Sequence, residues 1–209
     1  MIKVQRFINQ LLSSNCFVVY DDESKRAVVI DPGSEKSENE IAFIEVEGLT
    51  LDYIIITHEH TDHCYGVNAL RKQYNNSKVV FSDECCNNIK KANRIFFQFY
   101  FDSLDSLEEI IPSPDVVIRS STEYIKWGEY PIAFLLTPGH SKGSMCISIG
   151  EMLFTGDTVL QYPPSFSGIG YDKKEWRISV QHILKCFQED TIVYPGHGDC
   201  FRLNDFKFL

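Results

Sequence analysis

His58-Glu59-His60-Thr61-Asp62-His63 gathers three of the chain's six histidines and an aspartate into six consecutive residues. At this chain's own His and Asp frequencies, the string H-x-H-x-D-H arises by chance in about one sequence in several thousand. The chemistry argues more strongly than the count. Imidazole and carboxylate together are the donor set that holds zinc and similar divalent cations. The run follows residues 53–56, a short apolar, β-branched segment that reads as a buried strand. Side chains alternate along an extended segment, so His58 and His60 point the same way. Asp62 and His63 come as the chain turns into a helix, which aims them at a second point nearby. A strand end feeding a loop is where rigid scaffolds present functional groups.

Further along, three turns repeat the theme. His140 stands in Thr137-Pro138-Gly139-His140-Ser141, after the strand-like residues 132–136. His197 stands in Tyr194-Pro195-Gly196-His197-Gly198, after residues 191–194, and Asp157 in Thr155-Gly156-Asp157-Thr158, straight after 152–154. Four strand ends thus each deliver a cation-type donor through a tight turn, and glycine beside the donor permits close backbone approach. His182 lies in a helical stretch without donor neighbours and reads as structural.

The remaining pattern is mixed. Residues 16–20, 27–30, 78–81, 116–118, 124–126 and 146–149 read as further strands; 37–45, 67–74, 83–101 and 173–187 read as helices. Asp31-Pro32-Gly33 stops a strand with turn chemistry, and Ile111-Pro112-Ser113-Pro114 reads as a loop. Strand-rich halves, each with helices, suggest two sheets packed together with helices outside. The aromatic cluster Phe96, Phe97, Phe99, Tyr100 and Phe101 has two readings. Phe96, Phe97 and Tyr100 share a stripe that suits core packing; the cluster also suits an apolar wall or lid over a site, or a dimer surface.

Composition bounds the class. The chain has 209 residues, 44% of them hydrophobic, and a net charge of −9. That suits one compact domain spanning 1–209. An acidic chain argues against a nucleic-acid partner. No apolar run reaches the roughly 20 residues of a membrane span, and residues 1–20 do not read as a signal peptide. A cytoplasmic protein acting on a small molecule is expected, with self-association left open. Seven cysteines without a C-x-x-C pair read as mostly reduced thiols. Cys64, directly after His63, reads as the start of a helix, with a role beside the site as the alternative.

In this order, H-x-H-x-D-H, T-P-G-H-S, T-G-D-T and P-G-H-G resemble the metallo-β-lactamase superfamily, and within it the glyoxalase II-like (hydroxyacylglutathione hydrolase-like) branch. The likeness runs from about residue 15 to residue 200 and includes the Asp31-Pro32-Gly33 turn. It implies an α+β fold, a four-layer αββα sandwich with two metals at one edge. His58, His60 and His140 would hold the first metal and Asp62, His63 and His197 the second. Asp157 would bridge them, so that Asp62 and Asp157 are the carboxylates tied most directly to catalysis. The ions are expected to be zinc, with iron and manganese also suited to these donors. The implied activity is hydrolysis of a thioester, ester or lactone by a metal-bridged hydroxide. Asp31 and Asp199 stand where they could hold ligand imidazoles from behind; turn formation explains Asp31 equally well.

Two departures bear on the substrate. Full-length glyoxalase II enzymes add a C-terminal helical domain that helps hold glutathione, and no such domain is expected here. Many relatives show a G-R-T-D-like run after the bridging aspartate; here stands Gly168-Ile169-Gly170-Tyr171-Asp172-Lys173, without the arginine. Both put glutathione thioesters in question. Lys142, Tyr162 and Tyr171 follow the donor turns, but no motif assigns them to substrate. The bridging-type Asp157 speaks against a lactam. The first rival is a persulfide dioxygenase-like enzyme with one iron on His58, His140 and Asp157. The second is a binding protein that keeps the site for structure.

Overall fold

The computed structural model describes residues 1–100, 112–121, 123–162 and 170–208. Its first sheet runs in chain order through β1 (Ile2–Ile8), β2 (Asn15–Asp21), β3 (Arg26–Ile30), β4 (Thr50–Ile55), β5 (Lys78–Ser82) and β6 (Val116–Ile118). β1, β2 and β3 pair antiparallel, and β3 to β6 are parallel. The second sheet contains β7 (Glu123–Trp127), β8 (Tyr130–Leu136), β9 (Met145–Ile149), β10 (Met152–Gly156), β11 (Ile192–Pro195) and β12 (Phe201–Arg202), also side by side in chain order. There only β10 and β11 are parallel.

Period-2 alternation explains the layering. In β2, Phe17 and Val19 face the other sheet, whereas Cys16, Val18 and Tyr20 face helices. A strand covered on both faces reads as a continuous apolar run, which is how β2 reads. The middle layer joins Phe17, Val28, Ile30 and Ile55 to Phe134, Ile147 and Phe154. The Phe17 and Phe154 rings meet edge-on at 5.4 Å. Each such large side chain contributes about 1.5–3 kcal/mol by leaving water. Outside the first sheet lie α1 (Glu38–Val46), α2 (Thr61–Cys64), α3 (Val67–Gln73) and α4 (Asp83–Tyr100), which insert Ile44, Cys64, Val67, Leu70, Cys85 and Ile89. Outside the second lies α5 (Lys173–Cys186), which sets Trp176, Val180 and Ile183 on Leu135, Cys146, Leu153 and Val193. The protein is therefore a four-layer αββα sandwich, as expected.

Several boundaries differ from expectation by a residue or two, and two strands go unannounced in the sequence. β1 is an edge strand with only half-covered side chains, so its apolar signal is diluted. β12 has two residues. Of the aromatic cluster, Phe97 is 5% exposed and meets Tyr65 edge-on at 5.5 Å. That favours packing at this position. The side chains of Phe99 and Tyr100, and residues 101, 111, 168 and 169, lie outside the described residues. All seven cysteines are free thiols. Buried Cys64 ends α2 with its thiol beside Asn93, so it is a packing residue. No helix among the described residues is long and apolar enough to cross a membrane.

Candidate metal centre

The ends of β3, β4, β8, β10 and β11 meet at one rim of the sandwich. His58 Nε2 and His140 Nε2 lie 3.0 and 3.1 Å from His60 Nδ1. Two nitrogens bound to one tetrahedral zinc stand about 3.3 Å apart, given zinc–nitrogen bonds of about 2.0–2.1 Å. Beside this trio, Asp62 Oδ2 is 3.3 Å from both His63 Nε2 and His197 Nε2. Asp157 stands between the two sets: Oδ2 is 3.5 Å from His140 Nε2 and 3.6 Å from His197 Nε2, and Oδ1 is 3.7 Å from His63 Nε2. All seven residues proposed from the sequence thus converge. They include three groups whose donor atoms lie within 4.8 Å of one another: His58, His60 and His140; His58, His63 and Asp157; Asp62, His63 and His197.

Asp31 orients two of these imidazoles. Its Oδ1 accepts the Thr57 amide at 2.7 Å; its Oδ2 accepts the Thr57 hydroxyl at 2.7 Å and His63 Nδ1 at 3.0 Å. Because the Thr57 hydroxyl hydrogen goes to Asp31, Thr57 Oγ1 must accept from His58 Nδ1, 2.9 Å away. Both rings therefore carry hydrogen on Nδ1 and turn Nε2 toward the centre. Asp199 plays no such part; its carboxylate pairs with Arg6 at 3.0 Å and is exposed.

The two sets differ electrically. Burial, with repulsion from neighbouring imidazoles, pushes His58 and His140 well below the usual histidine range, and burial takes His60 to about 4. These three present neutral nitrogen lone pairs. For His63, burial lowers the pKa, but the carboxylates of Asp62, Asp157 and Asp31 outweigh it and hold the proton. Burial likewise lowers His197, and its hydrogen bond to Asp62 and the charge of Asp157 turn the balance upward. Burial would raise Asp62, but His63 and His197 hold it low; burial raises Asp157. In the second set protons stand where a cation would, so cation uptake there must expel them.

The residues fit metal ions. Asp157 Oδ1 is buried without a hydrogen bond. A Cβ on Gly196 would fall 2.2 Å from that oxygen and 2.8 Å from His63 Cε1, so only glycine leaves the space.

Residues 9–197 match the model of the metallo-beta-lactamase superfamily. The chain belongs to that superfamily. Among similar members is the probable polyketide biosynthesis zinc-dependent hydrolase PksB of Bacillus subtilis, 32% identical over 88% of this chain and 72% of PksB. Another is the hydroxyacylglutathione hydrolase GloC of Haemophilus influenzae, 29% identical over 92% of this chain and 89% of GloC. Among solved structures, TTHA1623 in a di-iron-bound form has a TM-score of 0.76 at 25% identity, over 96% of this chain and 95% of that one. The likeness to the glyoxalase II-like branch of the metallo-β-lactamase superfamily therefore stands.

Sequence reading missed the residues that hold this metallo-β-lactamase rim together. Glu59 is buried, and its carboxylate accepts the Ser141 hydroxyl at 2.8 Å and the Gly143 amide at 3.4 Å, tying the His58–His60 loop to the His140 loop. Asn93 donates to the Glu59 carbonyl at 3.1 Å. Thr57, Asn9, Ser14 and Asn15 are buried polar groups of the same kind. Glu59 sits inside the His58–His63 run and Thr57 directly before it, yet nothing local tells either from a solvent-facing polar residue, and nothing marks the others. Lys142 is exposed, as a solvated loop residue would be, and Tyr162 is 64% exposed.

Proposed function

We propose that this protein is a hydrolase that uses two divalent metal ions, zinc first among the candidates, to cleave a thioester, ester or lactone of a small metabolite. One observation carries the reading: seven donors form an all-imidazole set and an imidazole–carboxylate set, with Asp157 between them. The named activities of PksB and GloC support hydrolysis, and the di-iron form of TTHA1623 supports a pair of ions. His58, His60 and His140 would hold one ion, Asp62, His63 and His197 the other, and Asp157 both. When bound, such a pair lowers the pKa of water to near neutrality and polarises a carbonyl oxygen.

The chain's own residues do the rest. Asp31 holds His58, through Thr57, and His63 in the tautomer that would present Nε2 to the ions. Burial of five of the seven donors, all but His60 and His197, keeps bulk water from competing with them. Water adds to the carbonyl carbon and the carbon–sulfur or carbon–oxygen bond breaks, giving a carboxylic acid with a thiol or alcohol, or one hydroxy acid from a lactone. The partner is a small molecule, and the chain acts as one catalytic domain.

Elemental analysis of purified protein, run beside a panel of thioesters, esters and lactones, tests this. Two ions per chain with turnover lost on His58→Ala is the expected result. One iron per chain with thiol-dependent oxygen uptake would overturn it in favour of a persulfide dioxygenase-like enzyme. A folded, metal-free protein that cannot be reconstituted would leave a binding role.

A further inference from the structure

We infer that the turn between β1 and β2 is a clasp that sets the second donor set, Asp62, His63 and His197, separately from the first, with Ser14 and Asn15 as its positioning residues. The inference rests on the two-ion reading above. Asp62 hangs from the first sheet, after β4, and His197 from the second, after β11. Two sheets packed by apolar contact alone have no directional bond to hold that span, because the hydrophobic effect is non-directional. Residues 9–15 supply directional bonds to both sides, beside one from Arg6 to the Gly198 carbonyl at 3.0 Å.

The Ser14 hydroxyl donates to the Asp62 carbonyl, and the Asn9 amide donates to Ser14 Oγ at 2.9 Å. Across the gap, Ser14 forms an antiparallel bridge with His197, and the Asn15 amide N–H donates to the Gly196 carbonyl at 2.6 Å. The two hydrogens of Asn15 Nδ2 go to the carbonyls of Pro195 at 2.9 Å and Gly198 at 2.8 Å. Asn9, Ser14 and Asn15 are at most 2% exposed. Asn15 Oδ1 is left buried without a partner, a cost the fold bears in order to aim Nδ2 at the His197 loop. Leu12 and Ser13 take φ of 50° and 53° to close the turn.

The first donor set is held differently. Its two loops are joined by Glu59 to Ser141 and Gly143. No hydrogen bond among the described residues runs from Ser14 or Asn15 to those loops. Asn9 also touches the Asp31 carbonyl, and Asp31 serves both sets, so Asn9 is not the discriminating position.

The test titrates metal-free protein with zinc against a competing chelator. Ser14→Ala removes the donor to Asp62; Asn15→Asp turns an oxygen on two carbonyls without changing size. The expected result is two zinc ions in the wild type, and in each variant one ion bound as in the wild type and one about 10- to 100-fold weaker, the range for a lost supporting partner. On a His197→Ala background Ser14→Ala changes nothing; on His140→Ala it weakens the remaining site. Circular dichroism confirms that each variant is folded. In the wild type, hydrogen exchange at the Asn15 amide slows on adding the second equivalent of zinc and not the first, a measurement that needs no variant. Equal weakening of both ions, no weakening, or exchange that slows with the first equivalent overturns the clasp. A wild type that binds fewer than two ions overturns the proposed function, and the clasp with it.

Discussion

At the scale of single residues, the centre depends on which ring nitrogen carries hydrogen. Asp31 decides this for His63 directly and for His58 through Thr57. Asp31→Asn keeps the shape but can offer an N–H where His63 now donates, which drives that ring to the other tautomer. Zinc affinity should fall about 10- to 100-fold, read by chelator competition, with the fold retained. The seven side chains that converge here were legible in the sequence because they sit in four short motifs. The buried partner Glu59 was less so: among six consecutive polar residues, nothing local tells a carboxylate facing Ser141 from one facing water.

At the scale of elements, α5 shows a helix start written in the chain. Asp172 accepts from the amides of Lys174 at 2.8 Å and Glu175 at 3.0 Å. Asp172→Ala should cost about 1 kcal/mol in denaturant unfolding and leave ion stoichiometry unchanged. Helix α1 carries a less favourable group. Glu40 is 1% exposed, Oε2 has no hydrogen bond, and burial raises its carboxyl above the ordinary 4.5. The folded protein thus keeps a proton that the unfolded chain gives up, and stability falls as pH climbs from about 4.5 through the folded pKa. Glu40→Gln should remove that loss: thermal midpoints of variant and wild type should draw apart in the variant's favour between about pH 4 and pH 8. A constant difference across that range would assign Glu40 a purely steric role. Most strands, edge strands β6 and β7 included, and most helices were readable from period and turn residues; β1 was not, because none of its side chains is buried, nor was β12, because two residues hold no period.

At the scale of the whole molecule, the candidate metal centre joins the two halves of the sandwich. His58, His60, Asp62 and His63 come from one sheet's loops and His140, Asp157 and His197 from the other's. Ions bound there hold to the folded state and not to the unfolded chain, so they stabilise by mass action. At a hundredfold excess over the dissociation constant one ion adds about 2.7 kcal/mol. Chelation should therefore lower the thermal midpoint by about 5–10 °C for a chain of this length. An unchanged midpoint would mean that the rim holds its geometry without ions.

The sequence by itself determined which side chains could act as donors and the kind of elements that carry them, because both are local: a motif is a few residues, and periodicity needs only a dozen. Its order of motifs was enough for the superfamily and the sandwich. Only the tertiary structure decided how the donors divide in space, with an all-imidazole set of neutral rings beside an ion-paired set whose protons a cation must displace. It alone showed that a turn near the N-terminus reaches both Asp62 and the His197 loop. Those contacts join residues up to 183 positions apart, such as Asn15 and Gly198. Such pairs form only once two sheets have packed face to face, and packing is set by the summed burial of many side chains rather than by any one stretch.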